Sequence, residues 1–209
     1  MPASGPTRLL CLVRPGERRV FAVTHAVAAG GLAPSTLTIH GVDLLDSLAW
    51  WPCPSVPIEW TKAKFSTWTT DASGVTYAWP RRLAPVEFAT AADGYTVRGP
   101  ARDTIRRLVQ DSFDAVNTLM GWQENPHAAV DYAGAADTSP EVIVRVTDEP
   151  LLDTIADTAR TAGISVDVDL WWPGDPPVTI RTPDRESTVA ASWPHPMQIV
   201  RIVAPGEGE

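Results

Sequence analysis

The chain has no uninterrupted apolar run of about 18 residues, the length a transmembrane helix needs, so membrane insertion is not expected. Its opening residues, Met1-Pro2-Ala3-Ser4-Gly5-Pro6, lack the basic and apolar regions of a signal peptide, and cytoplasmic synthesis is the expectation. Cysteine is scarce. Cys11 and Cys53 are the only two, without CxxC spacing, so buried reduced thiols are expected, with a disulfide between them as the alternative. The sequence also lacks HExxH, HxH, a P-loop, GxGxxG and GxSxG. Positive charge is short as well: Lys and Arg number 17 against 25 Asp and Glu, a formal net charge of −8. The densest basic groups are only pairs (Arg18-Arg19, Arg81-Arg82, Arg106-Arg107). Nucleic-acid affinity comes largely from neutralising phosphate, so specific nucleic-acid binding is not expected.

What is present is an ordinary apolar content, 44%, in 209 residues. That length suits one large domain or two small lobes, and it buries enough core to fold without staples. The unusual counts are 20 Pro and 9 Trp. The prolines sit at junctions, which is the punctuation of many short elements joined by stiff turns.

Two apolar stretches, 9–13 and 18–24, flank Pro15-Gly16 and predict a β-hairpin turned by that pair. Residues 37–41 predict a strand and 42–48 a short helical turn; further strands are expected at 58–60, 66–69, 75–79 and 95–98. The pattern changes at Gly99. Pro100 suits the first helical position, and Ile105, Leu108, Val109, Phe113, Val116 and Met120 recur at spacings of three and four. They predict a helix stopped by Gly121, with Asp103, Arg106 and Arg107 on its exposed side. Residues 122–140 read as a loop, and 141–147 as a strand. A second helix is predicted from about Pro150 to Gly163, with Leu151, Leu152, Ile155, Ala156 and Ala159 inward. Residues 164–171 alternate as a half-buried strand, and 178–181 and 197–203 add two more apolar runs. The expected fold is α+β. A β-rich lobe of hairpins or a partial barrel, residues 1–98, stands beside an α/β lobe, residues 99–209, with two amphipathic helices packed on short strands.

Residues with catalytic potential are present but unarranged. His127 and Asp131 lie in the predicted loop with no third ligand in the pattern, and His195 is wedged between Pro194 and Pro196. Asp167 and Asp169 alternate with apolar neighbours, which places both on the wet face of a strand; Asp153 and Asp157 fall on the outer side of the second helix. No catalytic, cofactor-binding or metal-binding residues are assigned, and no enzyme activity or cofactor is expected. A small hydrolase built on Asp131, His127 and His195 is the least favoured alternative.

The tryptophans carry more. Adjacent residues on a strand point to opposite faces, so one member of Trp50-Trp51 and one of Trp171-Trp172 is expected to face outward. Trp is enriched where apolar bodies meet polar rims. Trp50, Trp51, Trp171, Trp172 and Trp193 are therefore the protein-contact candidates, with carbohydrate stacking as the alternative use.

The order of pieces also carries a resemblance. Leu37-Thr38-Ile39-His40-Gly41-Val42-Asp43-Leu44-Leu45, followed by a Pro-bounded aromatic strand, resembles the opening of a module in minor tail proteins of actinobacterial siphophages. Gly99-Pro100-Ala101-Arg102-Asp103-Thr104-Ile105-Arg106-Arg107-Leu108-Val109 is similar to that module's first helix. Leu151-Leu152-Asp153-Thr154-Ile155-Ala156-Asp157-Thr158-Ala159-Arg160-Thr161-Ala162-Gly163-Ile164 is similar to its second. The likeness spans roughly residues 36 to 204; the group is related to baseplate-hub or tail-associated proteins, and it brings no catalytic residues. It implies a structural role in the virion, at the distal tail, joining the tail tube to the host-contact apparatus. The implied partners are other tail-tip proteins (distal tail, hub, tape measure and other minor tail proteins) within a symmetric homo-oligomer. A net charge of −8 suits a surface past which DNA travels without binding. A carbohydrate- or receptor-binding adsorption module is the alternative.

Overall fold

The computed structural model describes residues 8–15, 17–30, 34–89 and 95–204. It is a mixed α+β, β-rich fold, with twelve strands and four helices among those residues. The first three strands, β1 (Leu9–Arg14), β2 (Glu17–Ala29) and β3 (Thr36–Asp43), form an antiparallel sheet in that order. The predicted hairpin is present, although Gly16 of its expected turn lies outside the described residues, and β2 runs five residues further than its apolar stretch. A 3-10 helix, Leu44–Trp50, follows at once; the Asp43 carboxylate caps it by accepting from the Leu45 amide at 2.8 Å.

Residues 58–60 are helical rather than extended. They belong to α1 (Pro57–Trp60), because Pro57 presets the first helical dihedral and overrides the β preference of Ile58 and Trp60. The hairpin β4 (Ser66–Thr70) and β5 (Thr76–Leu83) comes next, turned by Asp71, whose carboxylate accepts from the amides of Ser73 and Val75. Strand β6 (Thr96–Pro100) pairs antiparallel with β8 (Glu141–Arg145) and leads directly into α2 (Ala101–Met120).

Helix α2 is the centre of the molecule. Ala101, Ile105, Leu108, Val109 and Phe113 are essentially solvent-free, while Val116 is half-buried and Met120 exposed. Burial wraps further round than the apolar stripe predicted. Arg102, Thr104, Arg106, Asp111, Ser112 and Asn117 are also buried, so Arg106 belongs to the interior and only Asp103 and Arg107 to the exposed side. The second helix, α3 (Leu151–Ala162), packs on α2 and buries Leu151, Ile155, Ala159 and Ala162; Ala156, expected inward, is exposed. Each helix ends at a glycine in the left-handed conformation, Gly121 (φ 74°) and Gly163 (φ 70°), as expected where the chain must leave a helix sharply.

Within the stretch expected to be loop, Ala128–Val130 forms β7. Three residues are too few to show periodicity, and the strand exists because β12 (Met197–Val203) pairs with it in parallel. The other side of β12 pairs antiparallel with β9 (Ser165–Trp171), giving the sheet order β7-β12-β9. β10 (Val178–Arg181) and β11 (Thr188–Ala191) close as a small hairpin. One apolar cluster joins Val20, Leu44, Leu48 and Val97 to Ile105, Phe113, Ile155 and Ile202. The core is thus shared between both halves of the chain, and the expected 98/99 boundary falls inside β6.

Candidate interaction surfaces

The tryptophans divide into anchors and surface residues. Trp50 is 88% exposed at the end of its 3-10 helix, whereas Trp51 turns inward onto Phe113, ring centroids 4.5 Å apart. Trp171 is 5% exposed; its indole donates to the Pro176 carbonyl at 2.9 Å and meets the half-buried Trp193 edge-on. Trp172 is half-buried under the Arg18 guanidinium. Of the five contact candidates, Trp50 alone projects freely, and Trp171 is part of the interior. The strand-pair rule does not apply at Trp50-Trp51, which close a 3-10 helix, and at 171–172 Trp171 is buried and Trp172 half-buried.

The freest surface is one that no single residue announced. Directly opposed residues of antiparallel strands share a face. In the β1-β2-β3 sheet, one face rests on the body through Val20 and Ala22. Arg18, on that same face, donates to the Leu170 carbonyl at 2.9 Å and pairs with Asp175. The hydrogen bond from Arg18 holds the Asp175 carboxyl below its usual range. The opposite face carries Leu10, Leu12, Phe21, Val23, Leu37 and Ile39 together with Arg14, Arg19 and Asp43; Leu10, Phe21 and Val23 are half-buried, and Leu12, Leu37 and Ile39 exposed. Leu37 is 63% exposed, and every residue of β3 is solvent-accessible. Gly41 fits where Phe21 crosses: a Cβ there would stand 2.9 Å from the Ala22 carbonyl oxygen. On the body-side face His25 and His40 stack in parallel, centroids 4.3 Å apart, both exposed.

A second surface lies on the β4–β5 hairpin. Register puts Trp68 opposite Arg81 and Ser66 opposite Leu83, and the pairing then shifts before Thr70 meets Thr76. Arg81 lies over the Tyr77 ring at 4.8 Å, and Trp79 is 81% exposed. Trp, Tyr and Arg are the residue types that dominate binding hot spots. Trp79, one of the chain's nine tryptophans, is not among the five contact candidates drawn from the sequence.

Buried charge is tied to structure. Arg102, 1% exposed, donates to the Ala135 carbonyl at 2.6 Å, and Arg106 to that of Ala133 at 2.7 Å. Burial, and then the neighbouring Arg102, depress the Arg106 pKa. The two guanidiniums hold the 131–137 segment against α2. Asp137 completes this: it accepts from the Ser139 amide and the Asp103 amide, both at 2.9 Å. Burial raises its pKa, but those hydrogen bonds and the Arg102 charge outweigh it and leave it lowered.

A cleft of about 500 Å³ runs between α1 and α2, with Tyr95, Arg107, Asp111 and Arg185 among its lining. Its charges are already paired: Arg185 reaches Asp111 at 2.5 Å and Asp114 at 2.7 Å, and Arg107 donates to the Tyr95 hydroxyl at 3.2 Å. Ser55, also on the cleft, donates to Asp148 at 2.7 Å and accepts from the Ala89 amide.

The residues weighed for catalysis stay apart or serve packing. His127 packs edge-on against Trp122, while Asp131 accepts from the Ala133 amide and pairs with Arg201. His195 contacts the Pro126 carbonyl, and Asp169 is paired with Arg201. No group of three or more His, Cys, Asp or Glu side chains among the described residues is placed to hold a metal ion. Cys53 is buried, whereas Cys11 is exposed; both are free thiols. No helix among the described residues is long and apolar enough to cross a membrane. No model of a known protein family matches the chain. No curated protein matches it either.

Proposed function

We propose that the chain is a structural component of a phage tail tip, a minor tail or hub protein that links the tail tube to the host-contact apparatus. The observation that supports this best is the β1-β2-β3 sheet, one face anchored to the core and the other apolar and open. A monomer that functions alone seldom leaves so continuous an apolar face in water. A subunit of an assembly covers it. In this reading the paired charges and the buried tryptophans make the body stiff, and the exposed sheet and hairpin make the contacts. The partners are other tail-tip proteins and further copies of the chain.

Antibody labelling of purified phage particles, viewed by electron microscopy, tests the reading. Label confined to the tail end is the expected result; accessible, intact particles without label, with the protein only in the soluble lysate, would overturn it.

The exposed Trp79 and the Arg81–Tyr77 contact on this hairpin favour a second reading, a carbohydrate- or receptor-binding adsorption module. Aromatic rings with an adjacent cation suit sugar stacking. Isolated chain that sediments with host cell wall, and loses this on Trp79→Ala, would favour it; no sedimentation would favour the structural role.

A further inference from the structure

We propose that copies of this chain join head to tail by strand addition, with β3 of one copy against β1 of the next. This names the partner within the tail-tip reading, a second copy, and rests on it only for a repeating assembly.

The sheet has two open edges. Among the described residues, β2 is the only strand that pairs with β1 or with β3. The edges are of similar length, six and eight residues. Natural edge strands are guarded against pairing by lysine, proline or an inward charge. Neither Leu9–Arg14 nor Thr36–Asp43 contains lysine or proline, and each carries its charge only at its last residue.

Both strands run antiparallel to β2, so they run in the same direction. A repeat that keeps the same face on the same side therefore sets β1 of the next copy parallel to β3. Aligning the two terminal charges, Arg14 of the next copy beside Asp43, fixes a register. That register has a consequence the charges do not require. It puts Leu12 beside Gly41 and Leu10 beside Ile39 on the open face, so apolar residues meet across the junction next to the Arg14–Asp43 pair. On the other face it sets Val13 beside Val42 and Cys11 beside His40. Two copies joined β3 to β3 would instead leave both β1 edges open. The head-to-tail contact uses both edges, and repeated about an axis it leaves none.

The native thiol provides the test. Cys11 is exposed and Cys53 buried, so His40→Cys in the full-length chain adds one thiol opposite Cys11 of the neighbour. Adjacent strands lie about 4.8 Å apart, within the Cα span of a disulfide. Mild oxidation is expected to give a ladder of covalent oligomers on a non-reducing gel, abolished by reductant. Ile39→Cys, on the opposite face, is expected to give no more than wild type. Arg14→Asp is expected to raise the half-assembly concentration in sedimentation about fivefold, the scale of a cross-strand charge pair, while Arg14→Lys is expected to leave it near the wild-type value. A folded His40→Cys chain that forms no ladder and sediments as a monomer at every soluble concentration overturns the proposal. So does equal cross-linking from Ile39→Cys, or cross-linking in purified particles to a different protein alone. Labelling of particles reads location and cross-linking reads contact, so either idea can fail without the other.

Discussion

Asp137 caps α2 from outside the helix. Pro100 offers no side-chain cap, and the first amides of α2 are met by the Pro140 carbonyl, the Ser139 hydroxyl and the Asp137 carboxylate. Because the folded-state pKa of Asp137 is depressed, its stabilisation is present above the ordinary carboxylate range and is lost as pH falls through the lowered value. Asp137→Asn is expected to cost about 1–3 kcal/mol near neutrality and to flatten the acid limb, read as urea midpoints across a pH series. The cysteines differ just as sharply. Burial pushes the Cys53 thiol up to about 12, so a thiol reagent is expected to label one cysteine, Cys11, in native protein and two after unfolding. Two labelled thiols in the native state would contradict the burial of Cys53. The sequence led to the expectation of two buried reduced thiols, which holds for Cys53 and not for the exposed Cys11; the Asp137 cap was not legible beforehand. Arg102 and Arg106 look like solvated helix residues until the 131–137 carbonyls are seen to enclose them.

At the scale of elements, the two long helices were legible because their apolar spacing is long and their ends carry Pro and Gly. Two short elements were not. α1 reads as a strand because Ile58 and Trp60 are β-formers that Pro57 overrides, and β7 exists only through its distant partner β12. The packing of α2 on Trp51 can be tested directly. Phe113, 1% exposed between α2 and Trp51, is expected to cost about 3–5 kcal/mol when truncated to alanine, measured by urea unfolding. A loss below about 1 kcal/mol, the range of surface substitutions, would mean that this ring pair is not core.

The whole molecule separates a closed body from two open β surfaces. Trp171 and Trp79 illustrate the division. Trp171→Ala is expected to lower stability by about 3–5 kcal/mol, because the ring is enclosed by Trp193 and the β10 turn. Trp79→Ala is expected to leave stability within about 0.5 kcal/mol, because its ring is in water. Calorimetry of the two variants reads both outcomes directly. Equal destabilisation would mean that the β4–β5 hairpin is folded onto the body in solution. The sequence expected one outward ring in each tryptophan pair without saying which, and it could not separate the buried Trp171 from the exposed Trp79.

By itself the sequence determined the α+β class, the two helices with their glycine stops, and most strands, because periodicity and punctuation are local properties of the chain. It also determined the acidic charge and the lack of a recognised catalytic motif. Tertiary structure alone decided which charges are interior, that both halves share one core, and which apolar face stays open. The reason is physical. Burial depends on what another segment brings against a residue, and alternation in a strand marks two faces without saying which one the rest of the chain will cover.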